Sequence, residues 1–344
     1  MGTLSFILNL VKLIVYKMKF RTEIDIAKSK NPIEHSEKIL TIGSCFADNI
    51  SGYFKNFRFD VKTNPFGVLY NPVSIFNSFQ ILAEERRFTE SDLLYNQGEW
   101  HSFSHHSDFS HHDKQVCLNQ INYGIEESSI FLKNCDRVII TYGTSYVYKF
   151  IENNNIVSNC HKIPQQKFER LLLSLNELND YTNKIIELLK NINSKIGIIF
   201  TVSPIRHWRD GAVDNQISKA QLILSINDSI NKNESCEYFP SYEILMDDLR
   251  DYRFYEADLL HPNKIAIEYI WQKFYESILS DNCQNLLIEL EKVMKANKHR
   301  IRNPNSESTK KFASENLKLI SRLNTEYPHL NLENEKLYFE NLLK

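Results

Sequence analysis

No two of the six cysteines, Cys45, Cys117, Cys135, Cys160, Cys236 and Cys283, stand in a Cys-x-x-Cys pair. That absence excludes a zinc ribbon and a dithiol redox motif, and six scattered cysteines do not make a secreted disulfide framework. A reduced, cytoplasmic setting is expected. An excess of one charge is missing too, with 41 Lys and Arg against 43 Asp and Glu. Without a basic stripe, nucleic acid is not expected as a partner. There is no repeat of fixed period. Nor is there an apolar run long enough to span a bilayer: the stretch from Leu4 to Tyr16 is short and is broken by Asn9 and Lys12. The same stretch lacks a basic n-region and a small-residue cleavage site, which argues against a signal peptide. As a helix it would bury its apolar side on a partner or lie at a membrane surface. The plainer expectation is that the folded protein begins at "MKFRTEID", leaving residues 1–17 as an extension.

What remains is a chain of 344 residues, 42% hydrophobic, enough for one large domain or two smaller ones. Three short apolar runs end in turn residues: "EKILTIG" (37–43), "DRVIITYGT" (136–144) and "KIGIIFTVSP" (195–204). Runs of this kind, separated by helical patterns, predict a parallel sheet covered on both faces. Helices are expected over 47–57, 168–193 and 263–279, the last starting just after Pro262. The class is therefore α/β. Residues 86–130 read as a loop-rich insertion, and the more polar chain after residue 283 as a helical appendage.

In a parallel α/β sheet the reacting groups gather at the carboxyl ends of the strands. Those ends here carry Gly43-Ser44-Cys45, Gly143-Thr144-Ser145 and Ser203-Pro204-Ile205-Arg206-His207. A nucleophile at a helix N-terminus gains from the helix dipole and from free N–H groups that hold an oxyanion. Asp258-Leu259-Leu260-His261-Pro262 is the second signal, because a carboxylate three residues before an imidazole can orient it toward a nucleophile. His207 and Arg206 are candidates to contact an anionic substrate, and His161 to line the cleft. The His-rich run "WHSFSHHSDFSHHD" (100–113) has no two-His helical spacing. It is read as a lid over the cleft, with no metal and no cofactor expected.

Gly43-Ser44-Cys45-Phe46-Ala47 resembles the signature of the GSCFA-domain family. The resemblance continues through "NPFGVLYNP" (64–72), "TYGTSYVY" (141–148), "NCHKIP" (159–164), "TVSPIRHWRDG" (201–211) and "YFPSYEILMDDLRDYRFYEADLLHP" (238–262). It implies a flavodoxin-like three-layer α/β/α fold of the SGNH/GDSL-hydrolase type over 18–282, with residues 283–344 as the C-terminal helical extension. It also implies carboxylic ester chemistry. His261 would be the general base, Asp258 its orienting partner and Gly67 the oxyanion glycine. Two departures leave alternatives open. Where that fold has Gly-x-Asn-Asp, this chain reads Gly143-Thr144-Ser145-Tyr146, so the missing amide falls to Ser145, Thr144 or Asn71. Aligned on its glycine, the nucleophile turn places Cys45 at the attacking position; shifted by one, it places Ser44 there. A thiolate exchanges readily with thioesters. The expected activity is that of an esterase or O-acyltransferase acting on a small-molecule or carbohydrate ester, or on a lipid precursor, with a thioester as acyl donor in the transferase case. A non-catalytic binding module on the same fold is the alternative.

Overall fold

The computed structural model describes residues 21–344, so the expectations for residues 1–17 lie outside the described residues. Five strands form one parallel sheet: β1 (Ile39–Gly43), β2 (Val61–Thr63), β3 (Arg137–Tyr142), β4 (Gly197–Val202) and β5 (Cys236–Phe239). Their order across the sheet is β5-β4-β3-β1-β2. The chain leaves β1 toward one edge and β3 toward the other, so a topological switch point opens between the carboxyl ends of these two strands.

Alternation along each strand divides two cores. Leu40, Ile42, Val138, Ile140, Tyr142, Ile198 and Phe200 face one way. There they meet α2 (Pro72–Ala83), α3 (Lys114–Lys133), α4 (Leu175–Ile192) and α5 (Gly211–Ile230). Ile39, Ile139 and Ile199 face the other way, onto α1 (Cys45–Asn56) and α6 (Lys264–Ile278). On that side the Phe54 ring meets Trp271 and Phe274 edge-on, with centroids 5.3 and 5.8 Å apart. Burying such a ring is worth roughly 1.5–3 kcal/mol. Both faces are covered, which is why the strands read as unbroken apolar runs.

Two expectations are corrected. Residues 168–193 are not one helix: Phe168–Leu172 is a strand paired antiparallel with Tyr146–Phe150, in a small sheet completed by Ile156–Val157. Helix α4 starts only at Leu175, where Ser174 and Glu177 form a capping box. The insertion at 86–130 is not mainly loop either. It holds a hairpin, Leu94–Asn96 with Glu99–His101, turning through Gln97 and Gly98 at positive φ. It also holds the 20-residue α3, capped by Asp113, whose apolar residues Cys117, Ile121, Ile125 and Leu132 are diluted by Asn, Gln and Ser.

The C-terminal helices are α7 (Asp281–Asn297), α8 (Glu307–Glu326) and α9 (Glu333–Asn341). Helix α7 serves two cores: Cys283 and Leu287 belong to the one beneath α1, Leu290 and Val293 to the one shared with Ile320, Leu323 and Phe339. The tail is tied to the turn after α1 by the Arg58–Glu335 ion pair, with Glu335 at 1% exposure. A bond between His35 Nδ1 and His329 Nε2 (3.0 Å) adds to it. Among the described residues no helix is long and apolar enough to cross a membrane.

Two stability predictions follow from these contacts. At Gly43 φ is +136° and an added Cβ would lie 2.1 Å from Thr141 O. Gly43→Ala should therefore cost about 2–4 kcal/mol in urea unfolding. Arg58→Ala strands the buried Glu335 carboxylate and should cost about 3 kcal/mol, whereas Glu335→Ala frees a partly exposed arginine and should cost about 1 kcal/mol. Equal losses would mean the carboxylate is not held by Arg58.

Candidate active site

The turn after β1 is set by contact with β3. Gly43 presses on Thr141, and the Ser44 N–H donates to Thr141 O (3.1 Å). Ser44 is buried and is the N-cap of α1, its Oγ accepting from the Phe46 N–H (3.4 Å). Cys45 follows as the first helical residue, half-buried. Its own N–H, at that position, has no helical acceptor. Burial pushes the Cys45 thiol up from its ordinary value and the charge of Asp48 adds to this, while nearby N–H groups and Lys219 pull it back.

Residues 64–71 bridge the switch point. The Gly43 N–H donates to Asn64 Oδ1 (2.9 Å), whose Nδ2 donates to Asp48 (2.7 Å). The Leu69 N–H donates to Gly43 O (2.8 Å), and the N–H groups of Gly143 and Thr144 both donate to Tyr70 O (2.7 and 2.9 Å). This stitching corrects the oxyanion assignment. The Gly67 N–H closes a turn onto Asn64 O (2.7 Å), and Gly67 itself packs against the His106 Cβ. It has no N–H left for a substrate.

The amide that the Gly143 turn lacks is also narrowed. Ser145 is fully buried, with its N–H on Ser218 Oγ (2.7 Å) and its Oγ on Ser218 O (2.8 Å). Thr144 Oγ1 lies 3.2 Å from Ser218 Oγ and accepts the Tyr146 N–H. Asn71 differs. Its Oδ1 caps α2 through the Ser74 N–H (2.9 Å), while its Nδ2 has no partner among the described residues and borders the cleft.

Sequence reasoning missed Lys219. It sits mid-helix on α5, is completely buried, and donates to Gly143 O (2.7 Å) and Ser203 O (2.8 Å) at the ends of β3 and β4. Burial pulls its pKa down to about 7, with Cys45 pulling the other way. A lone lysine in a helical pattern carries no sequence signal of this kind. Asp48, Asn64 and Tyr70 were missed as well, although Asn64 and Tyr70 fall in the "NPFGVLYNP" stretch (64–72).

Asp258 and His261 form a ready pair. Asp258 Oδ1 accepts the N–H groups of Leu260 (2.9 Å) and His261 (3.0 Å), and Oδ2 accepts from His261 Nδ1 (2.5 Å). Those main-chain donors, first His261 and then Leu260, hold the carboxyl down to about 2. Leu259 between them is left-handed, φ 60°. His261 is half exposed, its Nε2 has no partner, and no hydrogen bond joins it to Cys45 or Ser44 among the described residues.

A cleft of about 510 Å³ opens beside this edge, bordered by Tyr70, Asn71, Thr144 and His207. Tyr70 connects it to the turn: burial and then the charge of Cys45 raise its phenol pKa. His207 is held neutral, its pKa lowered to about 4 by burial and then by the charges of Lys219, Arg170 and His261. Arg206 lies over the Trp208 ring at 5.3 Å, with its Nε buried and unpartnered. His161 does not line this cleft; it is buried on Ser102 O (2.8 Å) and stacks on His101. The His-rich run is a prop more than a lid. His101 and His105 are buried, His105 stacking on Phe66, and His106 alone borders the cleft.

Burial lowers five histidines below the ordinary value near 6.5: His35, His161 and His207 to about 4, His105 to about 3, and His329 as well. The unfolded chain therefore takes up protons first as the pH falls. Stability should be intact above pH 6.5 and fall toward pH 4, by about 1.4 kcal/mol per pH unit for each histidine. Urea midpoints at pH 7.5 and pH 5 test this, and a flat profile would contradict it.

A family model described as the GSCFA family matches residues 38–274, and one described as the GSCFA domain protein, C-terminal domain, matches residues 290–344. None of the curated proteins compared with the chain matches it. The first match spans the five-stranded sheet, the Ser44–Cys45 turn and the Asp258–His261 pair, and the chain belongs to the GSCFA family.

Proposed function

We propose that this protein is an acyl-ester enzyme, an esterase or O-acyltransferase, with Cys45 as nucleophile, His261 as general base and Asp258 orienting it. The observation that carries the reading is the pre-assembled Asp258–His261 pair, whose Nε2 is free while Nδ1 is fixed. The doubly wound strand order supports an SGNH-type, flavodoxin-like fold, in which such a pair serves a nucleophile after the first strand. Ser44 is spent on capping α1, which favours Cys45.

In this mechanism the loop carrying His261 draws in, and its Nε2 takes the proton from the Cys45 thiol. The sulfur attacks the carbonyl carbon. The charge on the oxygen falls to the Cys45 N–H and the Asn71 amide. The carbon–oxygen bond then breaks and the departing alcohol takes the proton from His261. Water, or an acceptor hydroxyl, gives up a proton to His261, attacks the thioester and releases Cys45. The buried Lys219, in its protonated form, favours the thiolate. A thioester donor would enter by the same steps with a thiol leaving. A carbohydrate or lipid-precursor hydroxyl is the proposed acceptor.

Intact-mass spectrometry after incubation with a short activated ester tests the reading. An acyl adduct is expected in the unaltered protein and in Ser44→Ala, and none in Cys45→Ala. His261→Ala should slow its formation by roughly 100-fold or more. The missing contact between His261 and Cys45 favours a second reading, a binding module, and no adduct in any version would establish it. Lys219→Met should also shift the pH profile of Cys45 alkylation upward; an unchanged profile would remove Lys219 from the mechanism.

A further inference from the structure

The cleft carries more positive than negative charge. Lys162, Arg170 and Arg209 border it against a single carboxylate, Asp210. Asp210 is bonded to Arg170, whose guanidinium lies over the Tyr146 ring at 3.6 Å. Lys162 and Arg209 have no hydrogen bond or ion pair to another side chain among the described residues. Two cations are thus left for something that is not protein.

Lys162 is also held at a cost. His161 and Lys162 are both left-handed, φ 46° and 56°, a conformation that costs non-glycine residues on the order of 1–3 kcal/mol each. Three bonds fix the loop, one from within it and two from residues 96 and 102. The His161 N–H donates to Asn159 Oδ1 (2.9 Å), Asn96 Nδ2 donates to His161 O (2.8 Å), and His161 Nε2 meets Ser102 O (2.8 Å). The bonds are all made by His161, and they set the backbone from which the exposed Lys162 projects at the cleft border. Arg209 faces the same loop, near enough for its charge to act on Cys160. Beyond these cations the wall is aromatic, formed by Tyr146, Tyr148 and Phe168 of the small sheet.

We propose that this cleft takes a substrate carrying an anionic group, a phosphate or a carboxylate, held by Lys162 and Arg209 with its body along Tyr146, Tyr148 and Phe168. The proposal rests on the acyl-ester reading and names the substrate class for it: the cleft adjoins the Cys45 turn across Tyr70, although neither Cys45 nor His261 is part of its lining. Arg170 stays with Asp210 and stiffens the aromatic wall. The neutral His207 beside it offers a hydrogen bond without competing for the anion.

Trp208, half exposed and adjacent to Arg209, provides a fluorescence reporter. The full-length protein is titrated with glucose 6-phosphate, succinate and glucose. Saturable binding of at least one anion, about 10-fold or more tighter than glucose, is expected. Lys162→Gln and Arg209→Gln should each weaken it by about 10-fold or more. Both side chains sit at the surface, and circular dichroism verifies that the variants are folded. Preference for the phosphate or for succinate then assigns the group. Equal binding of glucose and the anions, no binding up to about 10 mM, or full affinity in the double variant would overturn the proposal. Adduct formation without anion binding removes this inference alone. Anion binding without an adduct removes the acyl reading and leaves an anion site.

Discussion

The main-chain contact between Gly43 and Thr141 is what the working edge of the sheet depends on. A side chain there would hold β1 away from β3. With glycine the two strand ends close up, and residues 64–71 can be sewn across them from Asn64 to Tyr70. The same sewing sets Ser44 as a cap, puts Cys45 at the mouth of α1 and delivers Asn71 to the cleft. Backbone amides that another arrangement would offer to a substrate are consumed in doing so. The donors that remain are few and local.

Charge at this edge is handled by burial. Lys219 is enclosed with two carbonyls as partners, which brings its pKa near neutrality. The neighbouring His207 stays uncharged. Only the Asp258–His261 pair is open to water, and there main-chain N–H groups, not burial, set the carboxylate. The interior therefore holds an ionisable lysine within electrostatic reach of the thiol, and the Asp258–His261 pair is kept outside.

Much of the fold was legible because buried parallel strands write themselves as apolar runs: 37–43, 136–144 and 195–204 became β1, β3 and β4. Helix α6 was legible from Pro262, with Asn263 as its cap. Residues 168–172 were not, since a five-residue amphipathic strand joined to a helix has no period of its own until its partner at 146–150 is known. At the site, types could be read but availability could not. Ser44, Ser145 and Gly67 have suitable chemistry, and all three are spent on hydrogen bonds, Ser44 and Gly67 within their own turns and Ser145 to the distant Ser218. Lys219 escaped for the reverse reason: its meaning comes from where α5 crosses the ends of β3 and β4.

Helix α7 and the Arg58–Glu335 pair have a consequence for how the molecule is made. The pair joins residues 277 apart in sequence, and α7 lends one side to the core beneath α1 and the other to the tail. The first strand and helix thus wait on α7 to cover their core and on α9 to pair with Arg58. Contacts of such separation form late and slowly. On the ribosome, the sheet can assemble while the chain is still emerging, but the corner around α1 stays unfinished until α9 has emerged. A chain lacking α8 and α9 would display the Leu290 and Val293 side of α7, and quality control could read it as incomplete.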